Sequence, residues 1–163
     1  MHLFLGILQR LVFGLVLLLG TGFFAQADEI EGTFRIVKRE LPDGTVLTPP
    51  TVVGQWTMVN GYRQLNVFWR TPDGKPASAG GLFTYRISPN EYTETVIYFA
   101  FDDGSGKPVA YDVSGETKTV VITRKGGRIS YKLPFDPPSV VFEGDKMTAT
   151  LEGEFIDYWE RVK

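Results

Sequence analysis

The sequence contains no cysteine, and its single histidine is His2, at the amino terminus. Without thiols there is no disulfide scaffold, no cysteine nucleophile and no thiolate metal site. His2 is lost with the leader described below, which leaves no imidazole to act as a general base or zinc ligand. An excess of either charge is also lacking. The 17 Lys and Arg face 19 Asp and Glu with no basic block, which argues against nucleic acid as a partner. Catalysis would fall to carboxylates, Lys, Tyr, Ser or Thr, and nothing marks a nucleophile among them. The chain therefore reads as not an enzyme, with no catalytic residue, no cofactor and no metal.

Long apolar runs are scarce as well. The one present lies at the start, where "MHLFLGILQRLVFGLVLLLGTGFFAQA" sets Arg10 before an apolar stretch from Leu11 to Phe24, with small residues at Ala25 and Ala27. This is the pattern of a secretory signal over residues 1–27 with an A-x-A cleavage site, its apolar stretch short of the roughly 20 residues of a membrane span. The expected product is periplasmic or secreted after cleavage near Ala27, touching a membrane only through an uncleaved leader. Residues 28–163 then form one domain, 136 residues long and able to bury its own core.

Helical periodicity is the third absence, since no window of about eleven residues keeps a 3.6 period without Gly or Pro interrupting it. Period-two alternation fills the chain instead. It predicts strands at 30–39, 51–59, 62–71, 81–88, 92–101, 109–113, 117–124, 128–133, 139–142, 146–151 and 154–162, or eight to ten after merging. Between them stand hairpin turns: "PDG" at 42–44 and 72–74, "NG" at 60–61, "SPNE" at 88–91, "GG" at 126–127 and "EGD" at 143–145. An antiparallel meander without helices buries its apolar face by folding onto itself, as a barrel or a sandwich. On 62–70 the inward set is Arg63, Leu65, Val67 and Trp69. On 92–101 the sets are Tyr92, Glu94, Val96, Tyr98 and Ala100 against Thr93, Thr95, Ile97, Phe99 and Phe101, so both faces are expected to be partly covered.

Three stretches carry a family resemblance. "IEGTF" at 30–34 resembles the G-x-W opening of the lipocalin and fatty-acid-binding (calycin) superfamily, and "DYWERVK" at 157–163 resembles its closing strand. "SAGGLFTYRISPNEYTETVIY" at 78–98 is similar to a stretch of small bacterial exported lipocalin-like proteins. The resemblance implies an all-β fold, an antiparallel meander closed into a lipocalin-like barrel of eight to ten strands. It also implies that the aromatic of the opening motif packs at the closed end, with the last strand's Arg across it: here Gly32, Phe34 and Arg161. Phe34 stands where the family has Trp, so the guanidinium would meet a weaker cation–π face.

The candidate site is a pocket inside the barrel, lined by Leu65, Trp69, Tyr85, Glu94, Tyr98 and Trp159, an apolar wall with a few polar groups to orient a ligand. The competing reading is a core packed solid by the same side chains. Glu94 either holds a ligand's polar end or accepts from Arg63, Arg86 or Arg161. Asp157 and Arg161 share a strand face but lie too far apart to bond, so each needs a partner on a neighbouring strand. "FDDGSGKPVAYD" at 101–112 lacks the spacing of a calcium loop, and Pro137 and Pro138 mark an edge crossing or a barrel corner. The expected function is an exported lipocalin-like protein that binds a small hydrophobic or amphipathic molecule. The alternative is an envelope structural or interaction protein with a solid barrel and an outer patch at Phe68, Phe99 and Phe101.

Overall fold

Alternating β-branched and aromatic residues between short glycine turns produce thirteen strands, the only regular elements among the described residues and more than the eight to ten expected, because Val46–Leu47 adds a short strand, the 117–124 stretch breaks at Ile122 and no two candidates merge. A computed structural model describes residues 29–163, and the expected leader lies outside them. The strands are β1 (Gly32–Glu40), β2 (Val46–Leu47), β3 (Val52–Val59), β4 (Tyr62–Arg70), β5 (Pro76–Ile87), β6 (Glu91–Asp102) and β7 (Ala110–Asp112). They continue as β8 (Thr117–Val121), β9 (Thr123–Lys125), β10 (Arg128–Lys132), β11 (Ser139–Glu143), β12 (Lys146–Leu151) and β13 (Phe155–Arg161). The β3–β4 turn illustrates the local logic. Asn60 and Gly61 both have positive φ, 50° and 76°, which is the two-residue turn whose twist matches an antiparallel pair, and Val59 stands opposite Tyr62.

All pairings are antiparallel, in the order β7-β6-β5-β4-β3-β1-β13-β12-β11-β10-β9, with β2 added to β1 and β8 to β6. The meander is as expected, but the closed barrel is not: the sheet curls through about 220° and stays an open half-barrel. One segment approaches both halves. β8 pairs with β6 and β9 pairs with β10, with Ile122 between them donating its N–H to Asn90 O. Farther along, β7 has three residues, and the connection from β10 to β11 carries Pro137 and Pro138, whose missing N–H groups cannot extend a ladder.

A second departure lies in β6. Phe83 stands opposite Val96 but Leu82 opposite Tyr98, so Ile97 is an extra residue without a partner, a β-bulge. One inserted residue reverses which face every later side chain occupies. Tyr92, Glu94 and Val96 are buried inside, whereas Tyr98 points outward and is 39% exposed. Phe99 and Phe101 move to the inner face, opposite Gly81 and Ala79.

The interior is solid at one end only. There Tyr85, Tyr92, Tyr131 and Phe142 stack in succession with centroids 5.7, 4.5 and 6.2 Å apart, and Phe34 meets Phe142 edge-on at 5.7 Å. Ile30, Ile36, Met58, Ile129 and Met147 complete this core. Along β5 the inward side chains run Ala77, Ala79, Gly81, Phe83, Tyr85, from small to large. The large end fills the sheet's curve; the small end leaves it hollow.

Candidate functional site

The hollow end is a cavity of about 1020 Å³ that opens to solvent. Its wall is mostly apolar. β4 supplies Leu65, Val67 and Trp69, β6 supplies Phe99 and Phe101, and β13 supplies Phe155 and Trp159. Leu133, Pro137 and Pro138 border it from the β10–β11 connection, and Leu41 to Asp43 and Thr71 to Pro72 from hairpin turns at the rim. Space is made by small inward residues, Ala79, Ala110 and Ala149. A Cβ on Gly54 would stand 3.1 Å from the Trp159 ring, and one on Gly81 3.0 Å from Phe99, so both glycines admit aromatic neighbours. Trp69 packs against Phe101 with centroids 6.2 Å apart, and Trp56 meets Trp159 edge-on at 6.3 Å.

Two buried ionic groups frame the wall. Arg39 on β1 stands opposite Asp157 on β13 and donates from Nε and Nη2 to its two carboxylate oxygens at 2.6 and 2.8 Å. The same guanidinium lies 4.1 Å from the Phe155 centroid and 4.9 Å from that of Trp69, sandwiching charge between aromatic faces. Burial pushes the Asp157 carboxyl above its usual value, against the pull of Arg39. Asp157 thus finds the cross-strand partner its position required.

The second group sits behind the cavity wall. Arg63 is fully buried; its Nε and Nη2 donate to Glu94 at 2.7 and 2.9 Å, and Nη2 also to Asp136 Oδ2 at 3.0 Å. Tyr92 donates its hydroxyl to Glu94 Oε2 at 2.6 Å. Burial opposes the Arg63 charge, but Glu94 and Asp136 outweigh it and its pKa is raised. Burial holds Tyr92 and Tyr131 well above the usual phenol range, so both remain hydroxyls. Arg63 also covers the Phe83 ring at 3.8 Å. Asp136 belongs to both settings: it accepts from Arg63 and lines the cavity. Its Oδ1 has no protein partner, and neither do Arg63 Nη1, Tyr131 Oη, Trp56 Nε1 or Trp159 Nε1, all shut away from solvent.

Of the residues expected to line the pocket, Leu65, Trp69 and Trp159 do so. Tyr85 belongs to the solid end, stacked on Tyr92 and donating to Glu31 Oε1 at 3.1 Å. Glu94 is consumed by Arg63 and Tyr92. Tyr98 lies outside because of the bulge at Ile97. Phe99 and Phe101, expected on the outside, line the cavity for the same reason, so the outer aromatic patch with Phe68 does not form. Sequence reasoning also missed Arg39, Asp136 and Phe155. The small-to-large gradient along β5 was the available signal for a hollow end.

At the solid end, Arg161 stands opposite Phe34 in the β1–β13 ladder, with its guanidinium carbon 4.6 Å from the ring centroid. It donates to Glu31 O and pairs with Asp145 at 3.3 Å. Gly32, with φ of +132°, leaves the space this guanidinium occupies; a Cβ there would collide with it. No family model and no curated protein matches the chain.

Proposed function

We propose that this is an exported, lipocalin-like, non-enzymatic protein that binds a small hydrophobic or amphipathic molecule at the open end of its curled sheet. The observation that supports this reading is the cavity of about 1020 Å³, at the upper end of the usual size for small-molecule sites and walled by aromatic rings. Affinity would come from apolar area removed from water, and orientation from the few polar groups in the wall. The Arg161 and Phe34 contact agrees with the family resemblance, as does the antiparallel meander. The leader pattern is the ground for export.

The rival envelope role required a filled interior and an outer aromatic patch, and neither is favoured by the hollow end or by the inward Phe99 and Phe101. Titration of the purified protein with apolar and amphipathic probes, followed by tryptophan fluorescence, tests the binding reading. Trp69 and Trp159 line the cavity, so occupancy shifts their emission. An unchanged spectrum across alkyl, aromatic and polycyclic probes at saturating concentration would refute it.

A further inference from the structure

The two ends of the open sheet are guarded differently. β9, at one end, carries Arg124 and Lys125, charges of the kind that deter an edge strand from pairing with another chain. β7, at the other, has no lysine or proline between Val109 and Val113, and its outer edge has no partner among the described residues. β6 flanks it on one side, with Ala110 opposite Phe101, Tyr111 opposite Ala100 and Asp112 opposite Phe99. Ala110 lines the cavity, so its neighbour Tyr111 turns to the outer face, where it is 71% exposed. Val109 and Val113, one position beyond each end of β7, are 38% and 73% exposed. Three exposed apolar side chains thus follow a period of two, V-x-Y-x-V, and read the same in both directions along a strand edge with unpaired backbone groups.

A stripe of this symmetry matches its own copy. We infer that β7 pairs with β7 of a second copy of this chain, antiparallel about a two-fold axis at Tyr111, joining two curled sheets edge to edge. An axis perpendicular to the sheet keeps outer face beside outer face, so opposed residues share a parity along the strand. Three registers of that parity are centred within β7. Centring on Asp112 sets two carboxylates against each other, and centring on Ala110 brings Pro108, which has no N–H, into the ladder opposite Asp112. Centring on Tyr111 sets this ring beside its counterpart, Val109 opposite the partner's Val113, and Asp112 opposite the partner's Ala110. Apolar side chains then meet on the outer face, and no like charges are opposed. The shared edge is short, so it buries less than the roughly 1,200 Å² of a standard interface and the association is weak, with a Kd of about 0.1 mM. Tyr111 faces away from the cavity, and the pairing does not depend on the binding function proposed above.

Analytical ultracentrifugation of the purified protein from about 10 µM to about 1 mM reads the association, and the mass should climb from one copy towards two with a midpoint near ~0.1 mM. A chain that stays monomeric over that whole range overturns the inference. Tyr111→Lys places two like charges on the axis in place of two rings and should weaken the dimer about tenfold; an unchanged midpoint overturns the role of β7. The absence of cysteine lets single cysteines report the register. Directly opposed residues have Cα atoms about 4.5–5.5 Å apart, within reach of a disulfide. Under mild oxidation at a concentration where the dimer forms, Tyr111→Cys should cross-link to its own copy, and Val109→Cys should cross-link to Val113→Cys when the two are mixed. Val113→Cys alone should not, because it stands about 13 Å along the strand from its counterpart. Cross-linking of Val113→Cys alone as readily as Tyr111→Cys overturns the register. These three side chains are exposed, so the variants should fold as the parent does, which circular dichroism checks; the measurement on the parent needs no variant.

Discussion

Replacing Arg63 with methionine removes the guanidinium from between Glu94 and Asp136 and leaves two carboxylates in a site where Arg63 and Glu94 are both 0% exposed. Three hydrogen bonds go with it, at 2.7, 2.9 and 3.0 Å. Stripping one partner from a buried ion pair costs about 3–5 kcal/mol, a large share of the roughly 5–15 kcal/mol that holds a domain folded. Against a urea slope of about 2 kcal/mol/M, the unfolding midpoint should fall by roughly 2 M. Glu94→Gln is the informative contrast. It leaves one guanidinium facing one carboxylate, Asp136, so the charge balances; the new amide oxygen can still accept from Arg63 and Tyr92 while its NH2 takes the place of one acceptor, so the loss is one charge-assisted bond, about 1.5–3 kcal/mol. Urea unfolding followed by circular dichroism, for both variants and the parent, gives the comparison. Equal losses, or an Arg63→Met midpoint matching the parent's, would refute the reasoning that charge balance in this cluster governs stability.

Three other outcomes are expected. Gly32→Val should lower the thermal midpoint by the equivalent of more than about 2 kcal/mol, because a side chain there meets both an unfavourable φ of +132° and the Arg161 guanidinium; differential scanning calorimetry reads it. Phe101→Ala should weaken binding of an apolar probe about 5-fold, while Tyr98→Ser, one bulge away on the outer face, should leave both binding and stability within about 0.5 kcal/mol of the parent; fluorescence titration separates the two. Stability should be level between about pH 5 and 8 and decline below about pH 4. Backbone N–H groups of Thr45 and Ser114 hold Asp43 and Asp112 below the usual carboxylate range, and the Ser105 hydroxyl and N–H do so for Asp103, so their contribution is present above the unfolded value and lost as pH falls through the folded one. Asp157, raised by burial, works in the opposite direction and softens that decline. Urea midpoints measured across this range check the sign, and a stability that rises steadily down to pH 3 would contradict it.

The sequence by itself determined the all-β class, the main turn positions and the antiparallel meander, though not the strand number, because side-chain alternation and left-handed turn residues act within a few positions along the chain. It identified Arg63, Leu65 and Val67 as one inward face, since β4 runs without a bulge and its period of two is unbroken. It offered Arg63 among the partners of Glu94, but Asp136 was invisible there: it lies 73 positions from Arg63, on an irregular connection with no alternation to orient it. The tertiary structure alone decided the faces of Tyr98, Phe99 and Phe101, because a bulge at Ile97 is defined by register against β5 rather than by anything in β6. Closure, too, was beyond local pattern. Whether the last strands meet depends on summed twist and on the lengths of β7 and β9, and the sheet stops at a half-barrel. The choice between a core and a cavity was resolved as both, since inward volume grows from Ala77 to Tyr85 along one strand and each neighbour in the ladder must match it.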